Sequence, residues 1–420
     1  MMRIRNEVGK SGTQARQPLR PLLPKLLYIG EVPAEPTVGG AALLYRLLQT
    51  YPPHQLLVVQ CEQNQTAIDR RLPGVRYEIY RLPFERLTRT RLNTVCGIVR
   101  YVTASWRARK VAGLSSEFDA ERVLTIAHGY GWITAAIFAL RKGLPLHLVV
   151  HDHVPDTMHL PTFLKRFAWR RFKTTYQQAA SRWCISPRMG EAYSHLGAPA
   201  RVMYPLRALD CAEFDSPPDR LYRQHTGLNY GYAGSLDTKA NVDLLATLAQ
   251  VVEPLGSKLV LYAGPNPPAS LSSHRNVVSR GYLPSTQLVQ ALREEVDVLV
   301  LPMSFAPRDQ QSTELSFPSK LTDYTCACLP ILIWGPPSCS AVRWAKSNPG
   351  AAELVEDNSR DALAAAVDRL SSEPGWRVSL AHGAAAAGRA SFDRINIVRE
   401  FLQVISLTDS TRTASKDCAT

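Results

Sequence analysis

The hydrophobic residues of the first half of the chain form short, nearly continuous runs, separated by stretches long enough for a helix. Apolar runs of this length are typical of strands that are buried on both faces. The predicted strands are 25–30, 56–60, 122–127, 146–151, 183–185 and 201–203. A loop with Gly39 and Gly40 follows the first strand, and a helix is predicted over 41–50. Strands that alternate with helices predict a parallel sheet covered on both faces.

The same pattern restarts after the proline-rich segment 215–219, which we interpret as a linker. Five further strands are predicted at 229–232, 258–262, 276–279, 296–301 and 331–334, and three helices at 240–253, 285–293 and 318–328. The sequence therefore predicts an α/β fold with two Rossmann-like doubly wound domains that face a cleft.

The domain boundaries follow from these runs. We predict a flexible basic tail over 1–24, an N-terminal domain over 25–210, a C-terminal domain over 220–394 and a flexible tail over 408–420. A last helix, 395–407, is long enough to cross back to the N-terminal domain.

Charge is distributed unevenly between the two halves. Residues 1–210 contain 30 Lys and Arg against 14 Asp and Glu, whereas residues 211–420 contain 19 against 22. The net charge of +13 therefore combines +16 in the first half with −3 in the second. A nucleic-acid-binding protein is the alternative that this basic character raises. The chain has no helix-turn-helix, zinc-finger or RNP signature, and the acidic second half argues against nucleic acid as a partner.

The cysteines and the longest uncharged stretch exclude other classes. The eight cysteines form no Cys-x-x-Cys pair, no histidine spacing completes a zinc site, and there is no Asp-x-Asp pair, so no metal site is predicted. Free thiols suit a reducing cytoplasm. The uncharged stretch 123–140 is as long as a membrane span, but His128 and two glycines interrupt it. We interpret it as a strand, a turn and a buried helix.

The segment 316–324 carries candidate anion-binding chemistry. Pro318 and Ser319 are predicted to begin a helix, whose first N–H groups attract anions, and Lys320 adds a cation beside them. Asp323, one turn further along, is placed to accept hydrogen bonds from ribose hydroxyls. A proline-capped amphipathic helix with a solvated lysine and aspartate is the commoner meaning of such a segment.

In the N-terminal half, His151 and Asp152 follow a predicted strand directly. Ligands of open α/β sheets bind beyond the carboxyl ends of the strands, which makes both side chains candidate site residues. The alternative is a histidine that only caps the strand end. His128 and His153 are predicted to be structural.

Several segments, in the right order, resemble one known enzyme family. Residues 318–332 are similar to the donor-site signature of GT-B retaining glycosyltransferases, and of family four in particular. Residues 232–236, 281–285, 296–302, 184–193 and the glycine pair after the first strand resemble other parts of that family, so the likeness spans about residues 25–405. The family pattern has an arginine where this chain has Ser235, and a glutamate where it has Leu315, next to Glu314.

The resemblance implies a transferase that moves a sugar from a nucleoside-diphosphate sugar to an acceptor hydroxyl with retention, in surface polysaccharide or glycolipid synthesis. The N-terminal domain would bind a glycan or lipid-linked acceptor and the C-terminal domain the donor, without an essential metal ion. The implied catalytic residues are His151, Asp152 and Glu314. The implied donor-binding residues are Gly39, Gly40, Gly234, Ser235, Lys239, Tyr282, Ser319, Lys320 and Asp323. A relative without transferase activity, such as a nucleotide-sugar epimerase or a scaffold, is the alternative.

Two segments mix basic residues with large apolar ones at helical spacing. They are 81–110, with Trp106, and 163–173, with Phe163, Phe167 and Trp169. Such segments are typical of helices that lie on anionic lipid, and equally of an ordinary solvated basic face. The +16 charge favours the membrane surface, so the protein is expected to be cytoplasmic with peripheral docking on the inner face of the membrane.

Overall fold

The computed structural model describes residues 23–37, 39–81, 90–224 and 227–407. Residues 1–22 of the predicted tail 1–24, the predicted tail 408–420 and the basic residues within 82–89 lie outside these ranges. The described chain forms two parallel sheets with helices between successive strands, which confirms the α/β fold class.

The N-terminal sheet has seven strands in the order β3-β2-β1-β4-β5-β6-β7. The strands are β1 Leu26–Gly30, β2 Leu56–Cys61, β3 Arg76–Tyr80, β4 Arg122–Ile126, β5 Leu146–Val150, β6 Ser181–Cys184 and β7 Arg201–Val202. Its helices are α1 Gly39–Leu48, α2 Asn93–Val102, α3 Ala104–Leu114, α4 Gly131–Lys142, α5 Thr162–Gln178 and α6 Pro187–Ser194. All neighbouring strands pair in parallel. The strand order reverses between β1 and β4, and such a reversal opens a crevice for ligands at the carboxyl ends of the strands.

The C-terminal sheet has six strands in the order β10-β9-β8-β11-β12-β13. They are β8 Asn229–Ala233, β9 Lys258–Tyr262, β10 Val277–Ser279, β11 Val298–Pro302, β12 Ile331–Trp334 and β13 Glu353–Val355. The helices of this half are α7 Lys239–Val252, α8 Ala269–Ser272, α9 Ser285–Glu295, α10 Gln310–Leu315, α11 Lys320–Tyr324, α12 Ser340–Ser347, α13 Arg360–Ser372 and α14 Pro374–Phe392. Here the order reverses between β8 and β11, so the second sheet repeats the topology of the first.

The last helix, α15 Arg394–Leu407, packs on the N-terminal sheet. The ring of Phe401 lies 6.0 Å from that of Trp183 in β6. The side chain of Arg122, at the start of β4, donates to the Ile405 carbonyl at 3.3 Å. The chain therefore returns from the second sheet to the first.

The sequence did not predict β3 and β13. Both lie at the edge of a sheet, and β3 is largely half-exposed, with only Tyr80 buried. In β3 the charged residues Arg76 and Glu78 interrupt the apolar ones, and β13 has only three residues, so neither strand carries a continuous apolar run. The stretch 123–140 does form strand β4, a turn and the buried helix α4, and among the described residues no helix is long and apolar enough to cross a membrane.

Candidate functional site

The two sheets present their carboxyl ends to a cleft with a cavity of about 180 Å³. Helix α1 supplies one wall, including Gly39 and Arg46. The loop after β8, with Gly234 and Ser235, supplies part of the opposite wall. Helix α11 and the loop before α9 complete it with Ser319, Lys320, Asp323 and Tyr282. Most of the predicted donor-binding residues therefore share one cavity.

Lys320 projects over the loop that follows β8. Its ammonium nitrogen lies 2.7 Å from the Tyr232 hydroxyl and 4.3 Å from the centre of the Tyr232 ring. A Cβ at Gly234 would lie 2.9 Å from this nitrogen and still closer to the neighbouring methylene, and Gly234 has φ of +143°. Only glycine suits both the backbone conformation and the passage of the lysine.

Among the described residues, Lys320 forms no ion pair. Across the residues described, no carboxylate lies within 4.0 Å of its nitrogen. Helix α11 has only five residues instead of the eleven predicted for 318–328, so its dipole is small. The side chain of Lys320 is therefore the main source of positive potential on this wall of the cavity.

Asp323 faces an arginine from the other domain. The Arg46 guanidinium lies 3.2 Å from Asp323 Oδ1 and 3.4 Å from Oδ2, and both side chains are largely buried. Arg46 also donates to the Leu206 carbonyl at 3.0 Å. Asp323 Oδ1 is buried and accepts no hydrogen bond from the described residues. The Asp323 side chain as a whole is 15% exposed and lines the cavity, so part of the carboxylate side chain borders the space that a ligand would occupy.

Arg46 was not predicted as a site residue. The available signal was a lone arginine inside the apolar helix α1, at a position that is buried in the structure. Buried arginines need partners. The sequence could not show that the partner is Asp323, because the two residues lie in different domains.

Three predicted donor residues make other contacts. Lys239 is exposed at the start of α7, where it pairs with Asp243 at 2.8 Å and does not line the cavity. Ser235 lines the cavity and donates to Asp237 at 2.5 Å. Tyr282 lines the cavity and is 51% exposed, with its hydroxyl 3.4 Å from the Thr37 carbonyl of the N-terminal domain.

Glu314 lies at the domain interface. Its carboxylate accepts from Arg188 of α6 at 2.8 Å, and it does not line the cavity. Next to it, the Ser186 hydroxyl donates to the Leu315 carbonyl at 2.6 Å. In this conformation Glu314 and its neighbour join the domains.

On the N-terminal side of the cleft, His128 follows β4, and His151 and Asp152 follow β5. His151 Nε2 lies 3.3 Å from His128 Nδ1 and 3.3 Å from Asp152 Oδ2, and His128 Nδ1 lies 3.3 Å from the same oxygen. The other oxygen, Oδ1, accepts from the Ser316 hydroxyl of the second domain at 3.2 Å. A Cβ at Gly40 would overlap the His151 ring, so this glycine allows the ring to lie against the start of α1.

Burial sets the protonation of this group. It lowers the pKa of His151 to about 4, although Asp152 acts in the opposite direction. Burial alone raises the pKa of Asp152, but the hydrogen bond from His128 and the imidazole of His151 together lower it. At neutral pH the group therefore presents a neutral His151 ring beside a carboxylate.

The triad of His128, His151 and Asp152 was not expected from the sequence. No metal-ligand cluster was predicted, and His128 was interpreted as structural. The structure brings together three side chains of metal-ligating type. Their spacing along the chain gives no sign of this, because neighbouring strands β4 and β5 deliver them to the same edge of the sheet.

Helix α5 carries the predicted basic and aromatic surface. Phe163 is 62% exposed and Phe167 54% exposed, and the Arg170 guanidinium lies 5.9 Å from the centre of the Phe167 ring. Arg166 and Lys173 are also exposed. Trp169 differs from the expectation, since it is half-buried and stacks on Phe172 with ring centres 5.4 Å apart.

No family model and no curated protein matches this sequence. Solved structures nevertheless share its fold over most of the chain. HepE of Anabaena in complex with UDP and glucose has a TM-score of 0.63 at 14% identity, covering 91% of this chain and 100% of that chain. The sucrose-phosphate synthase of Thermosynechococcus elongatus has a TM-score of 0.63 at 15% identity, covering 91% and 98%.

A trehalose-6-phosphate protein of E. coli bound with UDP-2-fluoro glucose has a TM-score of 0.61 at 13% identity, covering 91% of this chain and 99% of that chain. At such identities the likeness shows the fold alone. It confirms the predicted GT-B arrangement of two Rossmann-like domains.

Proposed function

We propose that this protein is a glycosyltransferase that uses a nucleoside-diphosphate sugar. The observation that carries the proposal is the ammonium group of Lys320, which pairs with no carboxylate of the described residues and is held over the Gly234 loop in a cavity between two Rossmann-like domains. An uncompensated cation at the carboxyl ends of parallel strands favours a ligand with phosphate groups. The solved structures with this fold include proteins bound to UDP and to a UDP sugar, which supports the same ligand class.

The donor would lie across the cavity. Lys320 would bind the diphosphate, the Asp323 carboxylate would accept from ribose hydroxyls, and Tyr282 would lie beside the base. As the bond to the sugar breaks, negative charge grows on the departing diphosphate, and a fixed cation lowers the energy of that state. The neutral imidazole of His151 and the carboxylate of Asp152 would hydrogen-bond to the transferred sugar and orient it towards the acceptor hydroxyl.

We further propose that transfer retains the anomeric configuration and requires no divalent cation, as the resemblance of residues 318–332 implies. The acceptor would belong to surface polysaccharide or glycolipid synthesis. The exposed face of α5, with Phe163, Phe167 and basic residues on the same side, would hold the protein on anionic lipid. We also propose the roles that the resemblance implies, which are catalysis for Glu314 and donor binding for Lys239. Each role requires the side chain to leave the contact that it makes in this structure.

The test is donor binding. A thermal-shift panel of nucleoside-diphosphate sugars identifies the preferred donor, and titration calorimetry measures its affinity. Lys320→Ala and Asp323→Ala are each expected to weaken binding by about 1.5–3 kcal/mol, the range for hydrogen bonds to charged groups. Lys346→Ala is the matched control, because Lys346 is a half-exposed lysine of the same domain that pairs with Glu356 outside the cavity. Unchanged affinity in both folded cavity variants contradicts the proposed donor site.

Product analysis separates the alternatives. A transferase consumes the donor only in proportion to glycosylated acceptor, whereas an epimerase alters the donor sugar without any acceptor. A scaffold does neither.

A further inference from the structure

Three atoms that could coordinate a metal ion form a triangle at the carboxyl ends of β4 and β5. They are His128 Nδ1, His151 Nε2 and Asp152 Oδ2, and each pair lies 3.3 Å apart. We propose that they form a binding site for a divalent transition-metal cation of the zinc type, and that the bound cation inhibits sugar transfer.

The size of this triangle matches metal coordination. Zinc binds histidine nitrogen at about 2.0–2.1 Å and carboxylate oxygen at about 2.0–2.2 Å, with tetrahedral geometry. In such a tetrahedron the ligand atoms lie about 3.3–3.6 Å from one another. The three observed separations therefore form one face of a tetrahedron around a cation of this size.

Hydrogen bonds alone leave one edge of the triangle without a favourable interaction. If both rings donate to Asp152 Oδ2, the nitrogens of His128 and His151 face each other as two donors. If one ring donates to the other, the accepting nitrogen directs its lone pair at the carboxylate oxygen. A cation at the centre accepts an electron pair from all three atoms at once.

The surroundings hold the ligands and leave one side open. Ser316 donates to Asp152 Oδ1, which fixes the carboxylate and leaves Oδ2 for the metal, as supporting hydrogen bonds do in metal sites. The His151 ring is confined against Gly40. The side chains of His128 and Asp152 are 40% and 39% exposed, so solvent can reach the fourth position. Two imidazoles and one carboxylate favour zinc and similar metals over magnesium or calcium, which prefer oxygen ligands.

The inhibition rests on the proposed function, whereas metal binding itself does not. His151 and Asp152 are proposed to contact the transferred sugar, and a cation that coordinates both removes them from that role. The cation is therefore not a cofactor, and transfer in the presence of a chelator is compatible with this site.

The binding experiment is calorimetric titration of ZnCl₂ into full-length, tag-free protein that has been treated with EDTA. We expect one site, and a loss of affinity of about 100-fold or more in His128→Ala and Asp152→Asn, since loss of a supporting contact alone costs about 10–100-fold. Ser316→Ala, which removes only the supporting hydrogen bond, is expected to weaken binding about 10-fold. His195→Ala is the matched control, because this exposed histidine bonds only to a carbonyl of its own helix among the contacts described.

Spectroscopy and activity complete the test. Co²⁺ in place of zinc should give the strong visible absorption of a four-coordinate site. This absorption should be lost in His128→Ala. Zinc should inhibit transfer by the wild-type protein, EDTA should reverse the inhibition, and His128→Ala should raise the inhibitory zinc concentration by the same factor as in calorimetry. The site is overturned if the wild-type protein does not bind zinc. It is also overturned if the folded variants His128→Ala and Asp152→Asn bind zinc as tightly as the wild-type protein. If the wild-type protein transfers no sugar, the proposed function fails and calorimetry still decides the metal site.

Discussion

The contact between Gly40 and His151 makes a sharp test of how the N-terminal wall works. Replacing Gly40 by alanine places a methyl group inside the space of the His151 ring. Carbon atoms in contact normally lie about 3.5–4.0 Å apart, so the ring must move by more than about 1 Å. The ring can move because the outer part of the triad borders solvent, and the fold should therefore survive.

The expected cost falls on transfer. Misplacement of a reacting group by about 1 Å reduces turnover by about 100-fold, which corresponds to roughly 2.7 kcal/mol in the activation free energy. Donor affinity should change by less than about threefold, since Lys320 and Asp323 lie on the opposite wall. Zinc affinity should fall together with turnover, because the same ring serves both.

The assay is steady-state transfer at saturating donor, with donor affinity measured separately by calorimetry. Gly113→Ala is the control, because a Cβ there meets nothing within 4 Å and the position is helical in the same domain. Full turnover in Gly40→Ala would refute the role assigned to His151. A loss of donor affinity with unchanged turnover would place the effect of Gly40 on the donor instead.

Three further predictions address the ion requirement, pH and the membrane. Transfer should survive EDTA, and a requirement restored by magnesium or manganese would mean that the donor site has been misinterpreted. Burial lowers the pKa of His147 to about 3 and that of His151 to about 4, whereas a histidine of the unfolded chain has a pKa of about 6.5. Below pH 6.5 the unfolded chain therefore binds more protons than the folded protein, which favours unfolding. The free energy of unfolding should therefore fall by about 1–2 kcal/mol for each ring between pH 6.5 and pH 5, and His147→Gln should reduce this fall in chemical denaturation. The protein should sediment with anionic liposomes and little with neutral ones. Sedimentation with anionic liposomes should decrease when Arg166, Arg170, Arg171 and Lys173 are replaced by serine. If that variant sediments as much as the wild-type protein, α5 serves another purpose.

The chain's apolar pattern determines most of the fold. Runs such as 56–60 and 331–334 are buried on both faces, as is typical of strands in parallel sheets with helices on both sides. Strands β3 and β13 escaped prediction because charged residues interrupt the apolar ones in β3 and because β13 has only three residues. The end of the predicted strand 146–151 made His151 a candidate, and the predicted helix start at Pro318 did the same for Lys320 and Asp323.

Which side chains meet was decided only by the tertiary structure. His128 joins His151 and Asp152 because β4 and β5 are neighbours in the sheet, although 23 residues separate the two histidines. Arg46 reaches Asp323 across 277 residues because the domains pack with α1 against α11. Lys239 lies apart because the first turn of α7 directs it to Asp243. Local pattern fixes which residues are buried, since burial depends on the periodicity of each segment. Contacts between distant segments depend on strand order and domain packing, which no single segment encodes.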